Sequence, residues 1–420
     1  MAASTGRFTS KHILTHGNNA PDGILGPYRE KEGSFYTIRE IWSPVHVKTT
    51  KIDGSFDGKI AVANRFLYTN FNQCSFSGEL VKFTGNFPGM KTQKVAVGLT
   101  APNIAVGDSG VLKMALPQKW HEYDALYLTA TDPHGRLINR WSWNIVQPEE
   151  LKNRIVKNTQ DEVKGVDKGE FLLLTSGKTT AQFSKKTGLL TEVKVGDKLV
   201  PFTNGPTFVS DTLTFNEISL KQSGNNAVVE VSYNKSPECF ARWTMLPGGW
   251  LELDYQLHPV GKTNFAGITF DYPENLVKGA TLLANGPYHV WKNRLKGTEF
   301  GVFNKKYNNT VTGETWDYPE FKGYYANFYA VQVQSKELPF TIVSATPDLF
   351  LHLFTPQTAK FARGGVAPAF PSGNISILNG ISAIGTKFTK PEAEGPQSLR
   401  NEYLPEAKPL VGKLYFHFGE

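Results

Sequence analysis

Along most of the chain, apolar and polar residues alternate one by one. The segments Ala227-Val-Val-Glu-Val-Ser-Tyr233, Trp250-Leu-Glu-Leu-Asp-Tyr-Gln-Leu257, Phe328-Tyr-Ala-Val-Gln-Val-Gln334 and Leu410-Val-Gly-Lys-Leu-Tyr-Phe-His-Phe418 put every second side chain on one face, the period of a half-buried β-strand. Shorter stretches of the same kind begin at Ile60, Ser75, Gly110 and Asp124. Between them stand Asp53-Gly54, Asp57-Gly58 and Asn86-Phe-Pro-Gly89, which suit chain reversal between strands. One segment breaks the pattern: Phe35, Ile38, Ile41 and Trp42 recur at helical spacing over 30–42, and Pro44 ends the run, because proline and the residue before it leave helical geometry. A lone amphipathic helix ahead of unbroken β-sequence has no evident domain of its own to bury its stripe.

These patterns divide the chain. Residues 1–44 are a polar N-terminal segment ending in the helix, and 45–146 carry enough short strands for an immunoglobulin-like β-sandwich. Residues 147–168 are polar and of mixed charge, predicting a linker with a helical turn after Pro148. Residues 169–420 show no fixed-period repeat and predict one large two-sheet sandwich. The fold class is all-β.

Composition agrees. Twenty-eight Phe, 16 Tyr and 8 Trp beside 39 Gly and 25 Pro favour pleated surfaces and frequent turns over helices. The net charge of +7 raises the question of nucleic acid, but Lys and Arg are interleaved with carboxylates and the longest basic runs are pairs such as Lys185-Lys186 and Lys305-Lys306. Scattered charge makes no continuous phosphate footprint, so no nucleic-acid partner is expected. Cys74 and Cys239 are far apart and lack neighbours at metal-ligand spacing, so neither a disulfide nor a metal site is predicted, and no motif implies a cofactor. The start of the chain lacks the apolar stretch of a signal peptide and no run is long enough to span a membrane, so a soluble chain is expected; an exported parent would have carried its signal elsewhere. Gly364-Gly365 lacks the residues that complete a phosphate-binding loop, and the sequons at Asn308 and Asn374 are too short to carry weight.

Three segments resemble a known family. Gly26-Pro-Tyr-Arg-Glu-Lys-Glu-Gly-Ser-Phe-Tyr-Thr-Ile-Arg-Glu-Ile-Trp-Ser-Pro-Val45 resembles the last helix of the catalytic (β/α)8 barrel in family-two glycoside hydrolases and its exit into the next domain. The segment 126–143 is similar to the closing strands of the immunoglobulin-like domain that follows. Asn285-Gly-Pro-Tyr-His-Val-Trp-Lys-Asn-Arg-Leu-Lys-Gly297, with 318–327 and 379–388, looks like the terminal super-sandwich of β-galactosidases. His289 departs from the arginine expected in that motif, and Leu283-Ala284 from a more aromatic approach to it.

The resemblance implies a galactose-mutarotase-like terminal fold at 169–420, a remnant of the last barrel helix within 1–44, and a chain without the barrel that carries both catalytic glutamates. Retaining hydrolysis needs two carboxyl groups about 5–5.5 Å apart, mounted in this family on barrel strands. The implied role is non-catalytic: to support a barrel and help bind a carbohydrate, a β-galactoside or related oligosaccharide. The implied protein partner is that barrel, or a second copy meeting the exposed helix face.

Trp291, Asn293, Arg294, Trp316 and Tyr324, with Tyr288, Tyr318 and Tyr325 nearby, offer rings for pyranose faces and polar groups for hydroxyls; the same rings suit a β-core, and the same polar groups suit loop backbone. Two alternatives stay open. One is a stand-alone glycosidase, mutarotase- or lyase-like enzyme with Glu402, His289 or His352 as acid or base, although His352 alternates with apolar neighbours as a strand histidine would. The other is a carbohydrate-binding scaffold.

Overall fold

The computed structural model describes residues 24–25, 31, 33–210, 213–234, 239–306, 323–354, 370–386 and 389–419. The predicted helix runs from Gly33 to Ile41. Beyond it a seven-stranded arrangement places its strands in the order Val45–Val47, Lys59–Asn64, Ser109–Ala115, Lys91–Thr100, Ser75–Thr84, Ala125–Thr131, Leu137–Asn144. The Asn86–Gly89 turn joins Ser75–Thr84 to Lys91–Thr100 as an antiparallel hairpin. Lys91–Thr100 then leaves that partner and pairs with Ser109–Ala115 through its last three residues, so it carries the chain from one layer to the other. Between the layers lie Ile60, Val62, Leu80, Leu112, Leu126, Leu128, Trp141 and Trp143, the inward-pointing residues of the alternation.

The stretch 147–168, expected to be a linker, is a shorter connection than that. Pro148–Ile155 is an α-helix with proline at its start and Leu151 fully buried. Val163–Lys168 is already a strand, paired along its length with Phe171–Ser176. Its alternation is weak because most of its side chains are exposed.

The second sandwich is antiparallel throughout its described pairings. Its large sheet runs Phe215–Ser223, Asn226–Tyr233, Cys239–Met245, Leu251–Leu257, Leu410–Phe418, Phe340–Ser344, Tyr324–Ser335, Val277–Val290, Glu299–Lys306. The opposing layer includes Thr203–Phe208, Ala266–Asp271, Ile375–Gly380 and Phe350–Leu353. Trp243, fully buried, packs on Phe183, Phe270 and Phe416 at the centre.

The two sandwiches are joined by a buried seam. Val81, Phe83, Ala125 and Tyr127 of the first meet Leu283, Phe300, Tyr329, Val343 and Tyr415 of the second. Polar ties surround it: the Phe300 N–H donates to Ser142 Oγ (2.7 Å), Asn144 Nδ2 to the Tyr329 hydroxyl (2.9 Å), and that hydroxyl to the Val146 carbonyl (2.8 Å). Cys74 and Cys239 are buried, one in each sandwich, and are not joined in a disulfide. No helix among the described residues is long and apolar enough to cross a membrane.

Candidate functional site

The long strand Val277–Val290 ends in a tight turn closed by two backbone bonds, Trp291 N–H to Arg294 O (3.1 Å) and Arg294 N–H to Trp291 O (2.8 Å). Asn293 at its tip is a staple. Its Nδ2 donates to the Ile384 carbonyl and to Ser398 Oγ, both at 2.8 Å, and its Oδ1 accepts from Ile384 N–H at 3.1 Å. Lys292 adds two more ties, from its N–H to Ser382 O (3.0 Å) and from Nζ to Leu399 O (2.8 Å). Segments 285–297 and 379–386 therefore form one structure although about ninety residues separate them.

Trp291 and Tyr324, expected as rings that could meet a sugar, face inward. Both are fully buried, with ring centroids 5.5 Å apart, edge to face, and Phe370 closes the group 5.4 Å from Trp291. The Tyr324 hydroxyl lies 2.7 Å from Ser382 Oγ, and burial pushes its phenol well above the ordinary range. A ring sealed in this way supports the turn and offers no face to a ligand. Tyr325 is buried too. Trp316 and Tyr318 lie outside the described residues. Asn293 is occupied by Ile384 and Ser398, as its bonds show. Arg294 and His289 are half-buried, the latter with its ring 4.6 Å from Tyr325.

Glu402 and His352, read as candidate acid or base, lie in unlike surroundings. Glu402 sits exposed on a two-stranded ribbon opposite Lys262. His352 is buried, stacked on Phe370 at 5.1 Å and 5.5 Å from Tyr324. Desolvation lowers its pKa from 6.5 to about 3. In the unfolded chain this imidazole gains a proton as pH falls through 6.5, but the folded protein keeps it neutral until about pH 3. Protons therefore favour unfolding across that window, and stability falls with falling pH by about 1.4 kcal/mol per unit from this group alone. Urea unfolding at about pH 5.5 and 4.5 should show a slope that His352→Phe reduces by roughly that amount; an unchanged slope rules the assignment out. The sequon at Asn374 is engaged as well, its Oδ1 accepting Tyr272 N–H at 2.8 Å.

The N-terminal helix docks on the same turn. Tyr36 stacks on Tyr288 at 4.3 Å, Thr37 Oγ1 donates to Lys296 O (3.0 Å), and Glu40 receives the Gly297 N–H (2.7 Å) and pairs with Lys296 Nζ (3.0 Å). Gly297 has φ +87°, and a Cβ there would lie 2.5 Å from Thr37 N, so only glycine lets the loop approach the helix this closely. Arg39 ties the helix to the first sandwich through Asn139 (3.1 Å). Its apolar stripe faces away: Ile41 is 53% and Trp42 79% exposed, and Phe35, Ile38 and Trp42 border a shallow hollow of about 380 Å³ with Pro44 and Ile138.

One cluster escaped the sequence reading. Glu252 and Asp254 lie two apart on the outer face of Leu251–Leu257, and Lys413 Nζ reaches both, at 3.3 and 3.4 Å. Burial raises the Asp254 pKa, Lys413 opposes the rise, and the Glu252 charge adds to it. The Tyr415 phenol, bonded to Glu252, is raised mainly by burial. The signal was present in Leu-Glu-Leu-Asp, whose alternation puts both carboxylates on one face, but it reads equally as a solvated strand.

No family model matches the chain and no curated protein matches it. Among solved structures it is similar to the protein HI1317 (10% identity, 63% of this chain and 98% of that one, TM-score 0.32). It is also similar to galactose 1-epimerase from Lactobacillus acidophilus NCFM (8% identity, 62% of this chain and 99% of that one, TM-score 0.34). A third, the uncharacterized protein lmo2446 from Listeria monocytogenes EGD-e in complex with α-D-glucose, β-D-glucose, magnesium and calcium, shares 9% identity over 92% of this chain and 31% of that one, at a TM-score of 0.23. At these scores the likenesses assign no chemistry here, and the all-β architecture rests on the strands described above.

Proposed function

We propose that this chain is a carbohydrate-active sandwich protein and, more finely, the C-terminal part of a family-two glycoside hydrolase of β-galactosidase type, which supports a barrel and presents the 288–297 turn to its sugar. One observation carries this: the segments that resemble that family, the helix at 33–41, the turn at 285–297 and the stretches at 323–327 and 379–386, are joined by direct contacts. Sealed aromatics stiffen this junction while Ile41 and Trp42, at the end of the helix, are exposed. Arg294 and His289 are the polar groups there for sugar hydroxyls, and a charged hydrogen bond of this kind is worth about tenfold or more in affinity.

Calorimetric titration of the purified chain with galactose, lactose and plant-type oligosaccharides should give weak binding that Arg294→Ala weakens by about tenfold, without hydrolysis of aryl β-galactosides. The half-buried Glu252–Asp254 pair with its lysine favours a different role, a stand-alone enzyme with its own acid and base. Turnover by the pure chain that Glu252→Gln or Asp254→Asn abolishes would establish that role and overturn the non-catalytic one.

A further inference from the structure

We infer that a cleft between the two sandwiches, which includes Lys278 near the start of the strand whose far end forms the 288–297 turn, is a second saccharide site, with the polar row Gln332, Gln334 and Thr341 as its floor and Trp250 at its edge. The cleft encloses about 590 Å³, within the size range of small-molecule sites. Its floor is the outer face of the large sheet, where Gln332 pairs with Thr341 and Thr341 with His417 across three adjacent strands. The hairpin tip Phe87-Pro88 of the first sandwich and Ile155, the last residue of the connecting helix, form its walls. Trp250, 8% exposed, packs on His417 with ring centroids 4.9 Å apart and planes tilted by 37°, which fixes the indole at the cleft's edge.

This sheet face changes character where the cleft begins. Under the first sandwich it carries Leu283, Tyr329, Val343 and Tyr415 and is dry; along the cleft it carries amides and a hydroxyl. An interface that simply failed to close would carry the same apolar residues as the seam beside it. The two amides are also weakly engaged, Gln332 Nε2 to Thr341 Oγ1 and Gln334 Nε2 to Thr281 Oγ1 both standing at 3.4 Å, the outer limit of hydrogen bonding. Each keeps donor and acceptor capacity for a ligand.

The chemistry selects the ligand class. Among the described residues no carboxylate lines the cleft, and Lys278 is the one lysine or arginine there, so cations are not favoured. Side chains that both donate and accept match hydroxyls that do the same, and the half-buried Phe87, Pro88 and Pro339 supply apolar surface for the C–H face of a pyranose. A neutral sugar unit fits, with an acidic sugar as the variant that Lys278 would prefer. The ligand class rests on the carbohydrate reading above; the site itself does not.

Calorimetry on the full chain with lactose, galactose and galacturonate tests it. The double variant Gln332→Ala/Gln334→Ala changes partly exposed side chains and should fold; Ile155→Trp fills the cleft from its wall. Both should weaken binding by about tenfold while Arg294→Ala leaves this component intact. Binding unchanged in both cleft variants but lost in Arg294→Ala overturns the second site and leaves the 288–297 turn standing. No binding of any of the three sugars overturns both.

Discussion

Trp291→Ala should destabilise the protein by about 3–5 kcal/mol, the cost of removing a sealed indole from a packed core. The ring is fully buried and touches Tyr324 and Phe370, in a cluster completed by Val290, Leu378, Ile381 and Ile384. The turn above it is stapled to 382–384 and 398–399, so the cavity cannot collapse cheaply. Trp291→Phe should cost far less, about 1–2 kcal/mol. It keeps a ring in place and removes an indole N–H that has no hydrogen-bond partner among the described residues, a group that is costly to bury. Urea unfolding of the three proteins measures this directly. An exposed sugar platform would behave oppositely, losing ligand with stability unchanged.

Asp124→Ala should cost about 3 kcal/mol, through a buried carboxylate that ties the first sandwich to the connecting helix. Asp124 is fully buried; its Oδ2 accepts the Phe83 N–H at 2.6 Å, and its Oδ1 faces Arg154 Nη1 at 2.6 Å and Lys82 Nζ at 3.3 Å. Removing it leaves the Phe83 N–H without its acceptor in a buried place. The two cations are less affected, because each side chain is about one-third exposed and can turn to water, which holds the expected loss near the lower end for a broken buried pair. Asp124→Asn keeps the shape and should lose less. A denaturation midpoint unchanged in Asp124→Ala would show that the helix is held by Leu151 and its apolar neighbours alone.

The helix at 33–41, the hairpin at Asn86–Gly89 and the alternating strands of the second sandwich were legible because each depends on local spacing. A 3.6-residue stripe, a turn-forming tetrapeptide and a period of two specify geometry over a few residues. The bounds of the connection at 147–168 were less legible, since Val163–Lys168 holds its place by backbone pairing with Phe171–Ser176 and shows little hydrophobic pattern.

The candidate sites behaved differently. The sequence singled out Trp291, Tyr324 and Asn293 by residue type and left open whether they meet a ligand or the core. Only the partners contributed by distant residues, Phe370, Ser382 and Ile384, sealed the rings and occupied the amide. Glu402 and His352 were plausible by residue type, but one lies on an exposed ribbon and the other in an apolar pocket.

Local pattern thus determined that the chain is built of strands with one leading helix, and which side chains share a face. What covers each face was decided in three dimensions. The outer side of the large sheet is dry beneath the first sandwich, hollow beside Trp250, and half-open at Glu252 and Asp254. Alternation fixes only that successive residues point to opposite sides. Desolvation, and with it the proton affinity and reach of every group on a face, depends on the residues that pack there from hundreds of positions away.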